Sequence, residues 1–420
     1  MAYDVSIVGL GRVGLPLALS FADAGLSVLG VDNNPQRLET LRDRRMPFRE
    51  TGVQELLDMT TLELSEHITD AAAAKHIVIT IGTPSFSHIE IDMRGIVQAM
   101  DDLLPLLNPG HCIVLRSTVA PGTTDFVAGY LHKHRGFDVG SEIFVAHAPE
   151  RIAAGRFLEE IGTLPCIIGG VGEGSGEAVA GLFEVFGAPI VQTTPVQAEL
   201  AKIWTNILRY TNFALPNLLM MDCEQAGANV FDVIELINHD YPRGGIAPPG
   251  LTAGSCLRKD FVFSEERSAA PGMLLAVSRV NETVPLFLVT GVKRRIRTLG
   301  GRKVAVLGLA FKADTDDERD SLSHKLIRAL ERELADVAVH DPMMDTPTQS
   351  FEEAIEDAAV VIVATNHSAF CTPEVLSAII ERAAPDCLIV DPWNCWGIGQ
   401  PFAFAAELNG VRRSTLVSEP

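Results

Sequence analysis

The chain has 420 residues, 47% of them apolar and 21% charged, with 34 Lys plus Arg against 54 Asp plus Glu for a net charge of −20. That length exceeds one ordinary core and predicts two to three domains, while the composition excludes a disordered or low-complexity chain. So acidic a chain excludes nucleic acid and an anionic membrane as expected partners, because both require a basic face.

The N-terminus runs straight into a motif. Asp4 stands where a secretory leader carries Lys or Arg, and no unbroken apolar run reaches the roughly 18 residues of a membrane helix, so a cytoplasmic protein is expected. Seven cysteines, an odd number without any CxxC spacing, argue against a disulfide framework or a cysteine-rich zinc site and agree with a reducing compartment. No metal is expected. Residues 5–8 predict a buried strand, followed by Gly9-Leu-Gly11-Arg-Val13-Gly14 and an apolar helical stretch over 15–24. Residues 27–31 predict a second strand ending in Asp32. Strand patterns recur at 76–81, 112–116 and 143–146 with helical segments between, the alternation of a doubly wound parallel sheet.

From about residue 195 the pattern changes to a long helix over 196–226, which Pro216 is expected to kink or break. A Pro- and Gly-rich loop over 242–254 and a second helical segment over 273–299 follow. Strand–helix alternation resumes at Arg302 with KVAVLGLAF, then a helix near 322–334, then VAVHDP, AAVVIVAT and CLIVDPW. The expected fold class is α/β: two Rossmann-like doubly wound sheets joined by a helical centre, with domains at 1–195, 196–300 and 301–420. The long helix is a plausible dimer surface, which makes a homodimer the expected assembly.

A GxGxxG alone is weak, but here it sits between a strand and a helix at the start of a βαβ unit. Gly9 allows the tight turn, Gly11 lets backbone amides approach a pyrophosphate, and Gly14 permits close helix–strand contact, so a helix N-terminus faces the anion. Asp32, 18 residues after Gly14, would accept the ribose hydroxyls and repel a 2′-phosphate, which favours NAD over NADP. The resumed alternation has only Gly308 in its turn; it is either an inert duplicate or the holder of a smaller nucleotide.

Lys202 and Asn206 are i and i+4 on the long helix and share a face, where an amine and an amide could orient an alcohol or carbonyl oxygen. Cys256 and Asp260 lie just past the Pro-Gly loop. A cysteine starting a helix gains thiolate character, although a cysteine is otherwise most often a small core residue. With NAD, these residues point to an alcohol oxidised to an aldehyde, captured by the thiolate, oxidised again to a thioester and hydrolysed to an acid. Lys202 would stabilise each oxyanion and Asp260 would orient the hydrolytic water.

The ordered set GLGRVGLP over 9–16, Asp32, Thr83-Pro84, Ser117-Thr118 through Thr123, Pro149-Glu150-Arg151, Gly169-Gly170, Glu199 through Lys202 and Asn206, Gly254-Ser-Cys256 through Lys259-Asp260, and Phe311-Lys312 through Arg319 resembles the UDP-glucose/GDP-mannose dehydrogenase family over essentially the whole chain. The resemblance implies an NAD-dependent four-electron oxidation of a nucleotide-sugar C6 alcohol to a uronate, with Cys256 as nucleophile and Lys202, Asn206, Asp260, Thr118 and Glu150 around it. It also implies cofactor contacts from Gly9, Gly11, Val13, Gly14, Asp32, Arg37, Thr83, Thr118, Lys259 and Arg319. Substrate contacts are implied for Glu150, Arg151, Lys202, Asn206, Gly250, Phe311 and Lys312, with Arg243 reaching the neighbouring subunit's substrate. The UDP part of a UDP-sugar would then occupy the second Rossmann-like domain.

The departures from the family's pattern are Ala253 before Gly254, Arg258 before Lys259, Asn217-Leu218 in the long helix and Ala154 after the Pro-Glu motif. Pro149-Glu150-Arg151 and Tyr241-Pro242-Arg243 are more similar to UDP-N-acetylhexosamine dehydrogenases, especially the N-acetylmannosamine type; Cys256-Leu-Arg258-Lys-Asp260 leans towards the UDP-glucose or GDP-mannose type. The alternatives are a one-step β-hydroxyacid dehydrogenase, which needs neither Cys256 nor a second nucleotide domain, and a non-catalytic nucleotide-binding regulator.

Overall fold

The computed structural model describes residues 1–83, 93–252, 254–265, 271–344 and 348–408. The chain divides into two compact units, Met1–Asn206 with Lys259–Ser268, and Ile207–Arg258 with Ala269–Pro420.

The first unit is built on eight strands: β1 (Tyr3–Val8), β2 (Val28–Val31), β3 (Glu63–Ser65), β4 (Ala74–Ile79), β5 (Cys112–Leu115), β6 (Phe144–His147), β7 (Cys166–Gly170) and β8 (Ile190–Thr193), in the order β3-β2-β1-β4-β5-β6-β7-β8. All neighbours are parallel except β6 and β7. Helices cover both faces, so the central strands β1, β4 and β5 are near-continuous apolar runs, as a sheet buried on two faces requires. The edge strands β3 and β8 are half-exposed, and each mixes apolar with polar residues. Without an apolar run they leave no sequence signal, and neither was expected.

The second unit carries β9 (Lys303–Leu307), β10 (Asp336–His340), β11 (Val360–Val363), β12 (Leu388–Val390) and β13 (Phe402–Phe404), ordered β10-β9-β11-β12-β13 and parallel except for the β12–β13 pair. Its core joins Val304, Val306, Val360 and Ile362 of the sheet to Met220, Cys223, Val284 and Leu288 of the helices.

The helix over Pro195–Ala226 contains Pro216 and is not broken by it, so of the two outcomes expected from the sequence, a kink or a break, the break does not occur. Tyr210, Ala214, Asn217 and Met220 are buried on either side of the proline. Tertiary packing of this kind outweighs one missing amide donor. Pro285 sits in the same way inside the Met273–Ile296 helix. That helix is also long and apolar enough to cross a membrane by length and composition, with a mean hydropathy of 1.3 over 18 residues. It reaches that value across Arg279 and Glu282, and its Val284, Leu288 and Val292 belong to the core of the second unit.

Candidate functional site

In the first unit the turn after β1 is shaped for a ligand. Gly9 has φ of +101°, in the left-handed region open to glycine. A Cβ on Gly14 would fall 1.9 Å from the Gly9 carbonyl oxygen, whereas one on Gly11 would meet no protein atom within 4 Å. Gly14 is therefore required by packing. The bare Gly11 leaves room for something that is not protein, which fits a pyrophosphate beside the N-terminus of the Gly14–Asp23 helix. Val13 is the residue that caps this helix.

Asp32 is 5% exposed at the end of β2. Its Oδ2 accepts from Leu10 N at 2.7 Å and from Arg37 Nη1 at 2.6 Å, and its Oδ1 accepts from Asn34 N at 2.8 Å. A carboxylate has about four acceptor sites. One therefore stays open for a ribose hydroxyl, and a second opens only if Arg37 swings away.

The C-terminal ends of β4, β5 and β6 gather further expected residues. Thr83 donates through Oγ1 to the Thr118 carbonyl at 2.7 Å, and Lys259 Nζ lies 3.5 Å from the same Thr83 hydroxyl. Lys259 pairs with Asp260 Oδ1 at 2.9 Å, and Asn206 Nδ2 donates to Asp260 Oδ2 at 2.5 Å. Asp260 is fully buried, so this pair of donors is what makes its charge tolerable. Asp260 thus holds Asn206 in one orientation. Lys202, one turn before Asn206, is half-buried and has no ion-pair partner among the described residues.

Glu150 follows β6. Its Oε2 accepts from Arg116 Nη2 at 2.6 Å, and its Oε1 accepts from the amides of Arg151 and Ile152, both at 2.7 Å. One acceptor site remains, enough to orient a water. The Arg151 side chain donates to the Pro165 carbonyl at 2.5 Å.

Three residues of this unit were given no role by the sequence. Arg116 closes β5 with its side chain 5% exposed, paired to Glu150 and donating to the Ala148 carbonyl. Glu199, fully buried, accepts from Gly122 N, Thr124 N and Thr124 Oγ1 at 2.6 to 2.8 Å and caps the Thr123–Arg135 helix. That ties the helix bearing Lys202 to the loop bearing Thr118.

His147 is the third. Its Nδ1 meets the Leu115 carbonyl at 2.9 Å, and burial pushes the imidazole down to about 3. The unfolded chain takes up this proton near pH 6.5, about 1.4 kcal/mol per pH unit before the folded protein does, so stability falls as pH drops below that value. His147→Gln is expected to reduce the slope of melting temperature against pH between about pH 6 and 4. An unchanged slope would exclude His147 as the titrating group.

In the second unit, Cys256 stands in the first turn of the Ser255–Glu265 helix, and of the seven cysteines it alone is exposed. Arg319 is held by Asp317, Nε to Oδ1 at 2.8 Å and Nη2 to Oδ2 at 2.7 Å, which strengthens its hold on its proton. Gly254, with φ of +103°, lies under the Phe311 ring, 2.5 Å from where a Cβ would stand. Gly250 is held by Asn217 Oδ1, which accepts its amide at 2.9 Å, and a Cβ there would strike the Trp393 ring at 2.4 Å. Asn217 in turn donates to Asn281 Oδ1 at 2.9 Å.

Lys312 follows Phe311 in the loop after β9, where Thr315 Oγ1 donates to its carbonyl at 2.9 Å. Arg243 is exposed, stacked 4.6 Å from the Tyr241 ring centroid. Arg258, a departure from the family's pattern, pairs with Glu282 at 2.7 Å and Asp320 at 3.2 Å, and Leu218 is exposed. Pro84, Ala253 and the Ser255 side chain lie outside the described residues.

Residues 3–187 match the NAD-binding domain of the UDP-glucose/GDP-mannose dehydrogenase family, 196–283 its central domain and 305–398 its UDP-binding domain. A UDP-N-acetyl-D-mannosamine dehydrogenase of Pyrococcus horikoshii is 30% identical over 377 residues, 87% of this chain and 90% of the relative. An NDP-N-acetyl-D-galactosaminuronic acid dehydrogenase of Ralstonia solanacearum is 30% identical over 387 residues, 87% of this chain and 91% of its own. The solved UDP-N-acetyl-mannosamine dehydrogenase of Staphylococcus aureus superposes with a TM-score of 0.83 at 30% identity, covering 93% of this chain and 95% of that one.

Proposed function

The chain belongs to the UDP-glucose/GDP-mannose dehydrogenase family and is an NAD-dependent nucleotide-sugar dehydrogenase, and from that premise we propose that it oxidises the C6 hydroxymethyl of a UDP-N-acetylhexosamine to the uronate. The observation that carries the two-step chemistry is Cys256, the one exposed cysteine, placed in the first turn of a helix. A one-step alcohol dehydrogenase has no use for such a thiol. The names of relatives about 30% identical to the chain support an N-acetylated sugar.

In this scheme residues 1–195 would hold NAD, two molecules of which in succession would accept the two hydrides; residues 196–300 dimerise, and 301–420 hold the nucleotide of the substrate. Lys202 stabilises the alkoxide as the first hydride leaves, and Asn206, fixed by Asp260, orients the same oxygen. The Cys256 thiolate then adds to the aldehyde carbon, forming a C–S bond and a thiohemiacetal. Loss of the second hydride and of the hydroxyl proton gives the thioester. Water adds, the C–S bond breaks, and the carboxylate leaves with the thiol restored. Thr118 and the open acceptor site of Glu150 orient that water, and Arg151 lines the sugar.

Gly250, Phe311 and Lys312 hold the substrate. Thr83, Lys259 and Arg319 face the cofactor together with Gly9, Gly11, Val13, Gly14, Asp32 and Arg37. Arg243 reaches the substrate of a second copy. A homodimer is supported by the Pro195–Ala226 helix, which leaves Leu200, Trp204, Leu208 and Leu215 exposed at spacings of four, four and seven residues, Trp204 at 50% and Leu208 at 61%. Sedimentation at about twice the 45.3 kDa chain mass is the expected result, and a monomer mass at micromolar protein would exclude it.

The substrate is tested by NADH release from UDP-glucose, UDP-N-acetylglucosamine, UDP-N-acetylmannosamine and GDP-mannose. The expected result is fastest turnover of one of the N-acetylated UDP-sugars, with two NADH formed per sugar. A single NADH per sugar would reduce the enzyme to the one-step class. Preference for UDP-glucose or GDP-mannose would move the substrate within the family.

A further inference from the structure

The turn after β9 is the counterpart, in the second unit, of the glycine turn after β1, and loops in this position face ligands at the carboxyl ends of parallel strands. Both turns are tied to an aspartate ending the next strand, Leu10 N to Asp32 in one and Leu309 N to Asp341 at 2.6 Å in the other. There the likeness stops. Asp341 Oδ2 also takes Ala310 N at 3.1 Å and faces His367 Nε2 at 3.1 Å, while Oδ1 takes Met343 N at 2.8 Å. With the side chains of Asp341 and His367 both fully buried, this aspartate has no room for a ribose.

His367 holds the other end of the same turn. Its Nδ1 accepts the Asp314 amide at 2.9 Å, so the ring is the neutral Nε2–H tautomer that donates to Asp341. Its neighbours add to the grip. Thr365 Oγ1 donates to the Ala310 carbonyl at 2.6 Å, and Ser368 donates to the Asp314 carboxylate through N at 2.9 Å and Oγ at 2.5 Å. Asp314 has φ of +57°, a left-handed conformation that a non-glycine residue keeps only when its surroundings impose it. Between the clamped ends stand Phe311 and Lys312, and Phe311 reaches Gly254, two residues before Cys256. Burial alone requires a partner on each ring nitrogen; what sets His367 apart is that its two partners lie at the two ends of one turn.

We propose that His367 is a positioning residue for nucleotide-sugar binding: bridging Asp341 and Asp314, it fixes the turn over residues 309–314 so that Phe311 and Lys312 meet the nucleotide. This rests on the reading that the second unit binds the nucleotide of the substrate. It also turns the acid that serves a ribose in the first unit into a structural anchor in the second.

The test uses the full chain and titrates UDP by calorimetry, with NAD titration and thermal melting as controls. His367→Phe keeps the ring and its edge-on contact with Phe370, 5.6 Å between centroids, but loses both hydrogen bonds. His367→Asn keeps an acceptor for Asp314 N, and His367→Gln keeps a donor for Asp341. UDP Kd is expected to rise about tenfold or more in His367→Phe, with Kd for NAD within about twofold of wild type and the Asn and Gln variants in between. The same order is expected in KM for the nucleotide sugar, with a smaller change in kcat. His367→Phe with a lowered melting temperature but wild-type UDP affinity would make His367 a core filler and overturn the inference. If the Phe variant does not fold, wild-type UDP affinity in both the Asn and Gln variants overturns it equally. Wild-type chain that binds NAD but not UDP would instead overturn the nucleotide-sugar reading on which the inference stands.

Discussion

Cys256→Ser is expected to lower uronate formation by about three orders of magnitude or more while leaving NAD affinity within about twofold of wild type. A serine hydroxyl is ionised far less readily than a thiol and adds to the aldehyde much more slowly. In the proposed scheme the first hydride transfer needs only the alcohol, the cofactor and Lys202 with Asn206. The second needs the carbon held as a thiohemiacetal, because a free hydrated aldehyde would otherwise leave. The variant should therefore yield at most one NADH per sugar, and mass spectrometry should find no thioester at residue 256. Full wild-type turnover in Cys256→Ser would sink the covalent route and favour the one-step alternative. The other cysteines offer no substitute on exposure: Cys112, Cys223 and Cys387 are buried, and Cys166, Cys371 and Cys395 are partly so.

Arg116→Met is expected to destabilise the first unit by about 3–5 kcal/mol, the cost of leaving one charge of a buried pair without its partner. Side-chain exposures of 5% for Arg116 and 10% for Glu150 place the pair well inside the protein. Burial disfavours the charge on Arg116, and its neighbours, the carboxylate of Glu150 first among them and then Cys166, more than restore it. Removing the guanidinium also takes a donor from the Ala148 carbonyl and a cation from the face of Phe183, 4.9 Å away. The melting temperature of this unit should fall on the order of 10 °C. Arg116→Met combined with Glu150→Gln should recover about 1–3 kcal/mol of the loss, since the stranded charge goes with its partner. A melting temperature within about 2 °C of wild type in the single variant would show that the pair is not stabilising.

The glycine turn, Asp32 and the central strands were legible because each is a local pattern. A turn needs its own glycines, and a strand buried on two faces needs its own apolar run. The edge strands β3 and β8 were not legible, since a half-exposed strand borrows its order from the neighbour it pairs with. The break that Pro216 could have caused is absent for the same reason. Its local cost is real, but it is outweighed by burial of residues that the sequence does not place against anything.

The candidate site divides in the same way. From the sequence alone came the residue types and their order: the NAD turn, the Lys202–Asn206 face, Cys256 at a helix start and the family. Tertiary structure alone decided the partners. Arg116 reads as the polar end of an apolar strand until Glu150, 34 residues on, is found against it. Glu199 stands in a family landmark without a role of its own until it is found capping a helix 75 residues earlier. Asp341 repeats the position of Asp32, and only His367, 26 residues away in the chain, shows that the acid of the second unit is taken up by an imidazole. A sequence records which charges and dipoles the chain carries; the fold decides which of them neutralise one another and which are left to meet a ligand.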